Sequence, residues 1–339
     1  MRFVVHIGPH KTGTSYMQMR LFQGREELEN RGWVYPDIGT YGMEAQHDVA
    51  HNPALFIEPE GEYAKDFRDI IQRCHDEGKN LLLSAEGFRT WDAEKMLRLT
   101  DLVGAEKAEL VFAFRCPFSV FYSYWAEEVK QGFSGSLAFR FMQNFIDWEN
   151  SQILNPFFDL KRFEDNARFD INVLYFDAAR KHKIDICDLL TDGIMGCGVL
   201  PPPARETVNE GFPIELTEFL RLITFRHTKT KRFTNSRYRL AFMQHTTPEE
   251  RAEIIQTVKT KAGDAFRVFQ LPRDNMFYNE LKQRFAARPY TRKLPEGGEQ
   301  DLPDTVLKWR FGDLGMMAAV PEIMALVEKY EERLKAVGF

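Results

Sequence analysis

The chain has 339 residues, 44% hydrophobic and 28% charged, with a formal net charge of −5 at pH 7. That length can bury a large core, and the acidic balance argues against a general nucleic-acid binder. No apolar run approaches the roughly 20 residues that span a bilayer. The four cysteines (Cys74, Cys116, Cys187, Cys197) lack paired metal-ligand spacing and read as reduced thiols of a cytoplasmic protein that needs no metal and no membrane.

Phe3 to Ile7 is an apolar run that reads as a buried strand, and the loop Gly8-Pro-His-Lys11-Thr-Gly13-Thr-Ser15 follows it directly. A helix is expected from Ser15 to Asn30, with Gly32 as its stop. Trp33 to Pro36 reads as a short extended piece, and residues 37–55 as a loop holding His47 and His51. Glu62 to Glu77 is amphipathic at helical spacing, ended by Gly78. A buried strand at Leu81 to Leu83, a helix from Asp92 to Val103 and a strand from Ala108 to Phe114 come next. Pro117 suits the first position of a helix. A further helix is expected over Ser136 to Asn150, a strand over Ile171 to Phe176, and a helix up to Leu190. Strands separated by helices imply an α/β fold whose parallel sheet, of about four or five strands, is covered on both faces.

After residue 190 the character changes. A Gly- and Pro-rich loop leads into helices at Glu215 to Phe225, from Thr247 (which opens a capping box with Glu250), over residues 274–286, and at Pro321 to Val337. Residues 288–304 read as an exposed loop. The expected organisation is an α/β nucleotide-binding core over 1–204, a helical subdomain or lid over 205–300, and a C-terminal segment over 301–339 that packs back on the core.

Strand, glycine-punctuated loop and helix start together form an anion cradle, because unpaired backbone N–H groups and the helix dipole favour a phosphate or sulfate there. A nucleotide P-loop has the form G-x-x-x-x-G-K-[ST]. Gly8, Gly13 and Ser15 sit where that pattern requires, but Thr14 takes the place of the lysine, and Lys11 lies inside the loop. A crest lysine suits a shorter, diphosphate-sized group, which disfavours ordinary ATP or GTP hydrolysis.

The segment His6-Ile-Gly-Pro-His-Lys11-Thr-Gly-Thr-Ser15-Tyr-Met-Gln18 resembles the 5′-phosphosulfate-binding loop of sulfotransferases that use 3′-phosphoadenosine 5′-phosphosulfate (PAPS), H-I-G-x-x-K-T-G-T-[ST]-x-x-Q in bacterial members. Arg115, Pro117 and Ser123 are similar to the family's 3′-phosphate motif, an arginine at a strand end, a proline two residues on and a serine eight residues on. Cys116 stands where an acidic residue is usual. The likeness spans residues 3–130, and Asn209-Glu-Gly-Phe-Pro-Ile-Glu-Leu also looks like a late stretch of bacterial members. The resemblance implies a P-loop-type parallel sheet flanked by helices with a helical C-terminal subdomain. It implies PAPS as co-substrate, held by Gly8, Pro9, His10, Lys11, Thr12, Gly13, Thr14, Ser15, Arg115 and Ser123, and 3′-phosphoadenosine 5′-phosphate as product.

Transfer of a sulfuryl group to a hydroxyl, on a small-molecule or glycan acceptor, needs charge stabilisation on the leaving phosphate, a task for Lys11 and the loop amides. It also needs a base. Glu86 follows the Leu81 strand at the edge where open α/β sheets bind ligands, and is the first candidate. His10 serves as sulfonate ligand or alternative base, while His47 and His51 read as exposed loop histidines. The basic run Arg226, Lys229, Lys231, Arg232, Arg237 and Arg239 reads as a solvated face or as the lining of a cleft for an anionic acceptor. Two other readings stay open: a P-loop phosphotransferase or NTPase, and a silent sulfotransferase-like binding module.

Overall fold

The computed structural model describes residues 1–40, 45–202, 211–228, 237–271, 275–293 and 307–336. Its strands in chain order are β1 (Phe3–His6), β2 (Trp33–Val34), β3 (Asn80–Ser84), β4 (Ala108–Phe114), β5 (Phe169–Tyr175), β6 (Phe266–Leu271), β7 (Thr291–Lys293) and β8 (Leu307–Gly312). The chain divides into two compact units. The first comprises Met1–Val120, Asn155–Asn209 and Met276–Pro303, the second Phe121–Leu154, Glu210–Asn275 and Asp304–Phe339. The division therefore differs from boundaries after residues 204 and 300, because distant stretches of sequence complete each unit.

The first unit holds a six-stranded parallel sheet in the order β2-β3-β1-β4-β5-β7. All four residues of β1 are buried, and β4 is buried at six of its seven positions. Near-continuous apolar strands are what a parallel sheet covered by helices on both faces demands. Val4, Leu82, Val111 and Leu174 of the sheet pack with Met17 and Leu21 of helix Thr14–Gln23 and with Leu190.

Several expectations need correction. The expected helix 15–30 is two, Thr14–Gln23 and Arg25–Asn30, because Gly24 interrupts it and lies against the Leu200 side chain, where a β-carbon would come within 3.1 Å. The stretch read as a loop over 37–55 carries short helices His47–His51 and Ala54–Ile57. Phe176 does not end a strand but starts helix Phe176–His182. The helix Phe157–Glu164 was not anticipated, and Lys183, at φ 56°, breaks the helical run toward Leu190. Thr291–Lys293, within the expected exposed loop, is the sixth strand of the sheet, paired with β5.

The second unit is mainly helical, but it also contains an antiparallel ribbon of β6 and β8. Trp309 of β8 stacks near Phe269 and Tyr122 and meets Phe141 edge-on. Buried Glu218 accepts the Gly312 amide at 2.6 Å and pairs with Arg221 at 2.5 Å. The capping box is present: Glu250 N donates to Thr247 Oγ1, and Thr247 N to Glu250 Oε2. Arg226 pairs with Glu331, whereas Lys229, Lys231, Arg232 and the side chains of Arg237 and Arg239 lie outside the described residues, as do Asn209 and Glu210. Among the described residues no helix is long and apolar enough to cross a membrane, and the four cysteines are free.

Candidate functional site

The chain visits β2 and β3 on one side of β1 before moving to β4, β5 and β7 on the other. β1 is thus the topological switch point, where an open parallel sheet leaves a crevice outside the carboxyl ends of its strands. Because every strand pair of this sheet is parallel, the residues following β1, β3, β4 and β5 line one edge. They are the loop 7–13, Glu86, Arg115, and Phe176 with Asp177.

The loop after β1 is built on positive φ angles. Gly8 has φ 91°, Lys11 φ 68° and Gly13 φ 80°. The Gly8 carbonyl accepts the Ala113 amide at 2.8 Å, and Thr12 Oγ1 donates to the Pro9 carbonyl at 2.7 Å. Gly13 is the N-cap of helix Thr14–Gln23 and offers no side-chain cap, and no acidic residue stands in the first turn. The first amides of that helix are therefore left for an outside acceptor. A β-carbon at Gly8 would stand 3.2 Å from Glu86, so the glycine lets the carboxylate approach the loop.

Glu86 is 5% exposed and turned toward the loop. Its Oε1 accepts Thr14 Oγ1 at 2.5 Å, and its Oε2 accepts Gln18 Nε2 at 3.3 Å. Thr14 and Gln18 are four apart on one helix face, the spacing that lets both reach one partner. His10 Nδ1 lies 3.7 Å from Oε1, and His47 Nε2 lies 3.8 Å from Oε2. Burial works against the charge on Glu86, but the nearby His10 imidazole and the hydrogen bond from Thr14 outweigh it and hold the carboxyl well below the usual carboxylate range. His47 is pushed down by burial, against the attraction of Glu86.

The structure brings Lys11, His10, Glu86 and Arg115 to one edge of the sheet. Thr12 and Thr14 turn their hydroxyls into the protein, to Pro9 and Glu86, so their side chains serve the loop. His47 is not an exposed loop histidine; its side chain is 17% exposed against 52% for His10. Gln46 fixes it there, since the Gln46 amide donates to the Ser84 carbonyl at 3.2 Å and its Oε1 accepts the Ser84 amide at 2.7 Å. No local pattern announces this, because the two partners are 38 residues apart. Ser123 belongs to the second unit, the boundary falling within helix Pro117–Lys130.

No family model matches the chain, and no curated protein or solved structure matches it significantly.

Proposed function

We propose that this protein is a P-loop-type sulfotransferase that moves the sulfuryl group of PAPS to a hydroxyl of a carbohydrate-like acceptor. One observation carries the reading: the Lys11 loop and the Glu86 carboxylate, 75 positions apart in sequence, meet at the carboxyl edge of the switch-point strands, with the uncapped start of helix Thr14–Gln23 beside them. The loop amides, Lys11 and the helix start form a donor set for a phosphosulfate, and Lys11 stabilises negative charge on the leaving phosphate. Glu86, or an imidazole beside it, takes the acceptor proton as the new oxygen–sulfur bond forms.

The NTPase reading is less well supported. There is no lysine after Gly13, and the Thr14 hydroxyl standing in that place donates to Glu86. A cavity of about 420 Å³ is lined by Asp37, Thr40, Asp48, Tyr63 and Asp66, and we read it as the acceptor side because Asp48 follows His47 in the chain. Carboxylates and a phenol suit a neutral polyhydroxylated acceptor better than an anionic one.

Calorimetry without divalent metal tests the reading. 3′-Phosphoadenosine 5′-phosphate is expected to bind more tightly than ATP by roughly tenfold or more, the worth of one hydrogen bond to a charged group. Preference for ATP, and only with Mg²⁺, would overturn it. Lys11→Ala is expected to lower turnover by about 2–4 kcal/mol of transition-state stabilisation with little change in folding. Tight nucleotide binding with no transfer to any of a panel of glycans would favour a silent binding module.

A further inference from the structure

Three residues at the carboxyl ends of β4 and β5 fasten the anion loop, and the sequence pointed to just one of them, as a ligand of the 3′-phosphate. Arg115 Nη1 donates to the Lys11 carbonyl at 2.6 Å. Lys11 is the crest residue at φ 68°, a conformation that side chains with a β-carbon resist and that needs outside support. Asp177 accepts the Cys116 amide at 2.7 Å, and its Oδ1 lies 4.0 Å from Arg115 Nε. The Phe176 ring lies beneath the guanidinium, 5.3 Å from Cζ. The same ring closes on Gly13, where a β-carbon would come within 3.0 Å of it. One planar cation thus ties the Lys11 crest to the end of β5, and its aromatic platform touches the loop's second glycine.

We propose that Arg115, Phe176 and Asp177 form a latch that holds the loop in its anion-binding conformation before a ligand arrives. Arg115 is then a positioning residue of the loop and not merely a contact to a 3′-phosphate. The physical gain is preorganisation: amides already aimed need no ordering when the anion binds. A lysine at this position keeps the charge but not the planar group that lies over the Phe176 ring while Nη1 reaches the Lys11 carbonyl. The proposal rests on the loop being an anion site, as read above, and not on the anion being PAPS.

Amide hydrogen exchange of the full chain and calorimetry with inorganic pyrophosphate test it together. In Arg115→Ala, exchange across residues 10–14 is expected to quicken by roughly tenfold or more, with β1 and β3 amides unchanged, as for loss of one charged hydrogen bond to a local segment. Pyrophosphate binding should weaken by a similar factor, although pyrophosphate has no 3′-phosphate. Arg115→Lys should repeat both effects in smaller measure, and Asp177→Asn should loosen the loop while leaving the arginine in place. Wild-type loop exchange and pyrophosphate affinity in Arg115→Ala, with loss confined to 3′-phosphoadenosine 5′-phosphate, would overturn the latch. If Arg115→Ala fails to fold, Arg115→Lys decides by the same readouts. If the wild-type protein binds no pyrophosphate, the anion-site reading fails and the exchange data alone decide the latch. A wild-type protein that binds pyrophosphate but not 3′-phosphoadenosine 5′-phosphate would sink the sulfotransferase reading and leave the latch standing.

Discussion

Glu86 stays ionised across the neutral range, because the donors around its carboxyl outweigh its burial. This sets the pH behaviour of any reaction in which it is the base. The acidic limb of the transfer rate should lie below the ordinary carboxylate value of about 4.3, with no decline between neutrality and that point. Glu86→Gln is expected to keep nucleotide affinity while nearly abolishing transfer, checked by calorimetry and initial rates. An acidic limb that survives in Glu86→Gln would take the base role away from Glu86. His6, one strand position before the loop, makes a different prediction. It is fully buried, its Nδ1 lies 2.7 Å from Ser84 Oγ, and burial holds its imidazole down at about 4. The unfolded chain protonates His6 near the ordinary 6.5, so between that value and about 4 the unfolded state holds the extra proton. The contribution is whole above pH 6.5 and is lost as pH falls through that window, about 3 kcal/mol across it. Urea midpoints from pH 7.5 to 4.5 should drop less steeply in His6→Asn than in the wild type. Parallel slopes would contradict the assignment.

At the scale of elements, the strand–loop–helix turn of residues 3–23 depends on its glycines. Gly13→Ala places a β-carbon at φ 80° and against Phe176, so it should destabilise the protein by more than about 1 kcal/mol, measured by urea unfolding. Anion affinity should fall with it. This turn was readable in the sequence because strand, glycines and helix start are consecutive, and the Thr247 box was readable because its partners are three residues apart. Asp92, before the helix Ala93–Val103, caps it by the same local logic, accepting the Lys95 amide. The helix His47–His51 was not readable. It has five residues, its N-cap Gln46 makes no side-chain cap, and it is held by Ser84, far along the chain. β7 escaped notice for a similar reason: three residues carry no period, and pairing with β5 is what makes them a strand.

Across the whole molecule, the first unit is completed by residues 276–303. Phe285 packs 4.8 Å from Phe114, 5.6 Å from Tyr175 and 5.8 Å from Phe157, ring centre to ring centre, and β7 covers the outer edge of β5. A fragment of residues 1–204 would expose those rings and an unpaired strand edge. It is expected to bind a hydrophobic dye and aggregate, whereas a monomeric fragment with the loop protection of the full chain would contradict the interleaved unit.

The sequence by itself determined the alternation of strands and helices, the glycine-punctuated loop with Lys11 at its crest, and the residue types that stand around it. Those features arise from neighbours along the chain, whose periodicity, glycines and caps act over a few residues. Only the tertiary structure decided that β1 lies between β3 and β4, and hence that Glu86 stands beside Thr14. It also decided that His47 reaches Glu86 and that Arg115 grips the Lys11 carbonyl on a platform of Phe176. Strand order is selected by burial and pairing among segments far apart in sequence, and no local pattern encodes which carboxyl ends will share an edge.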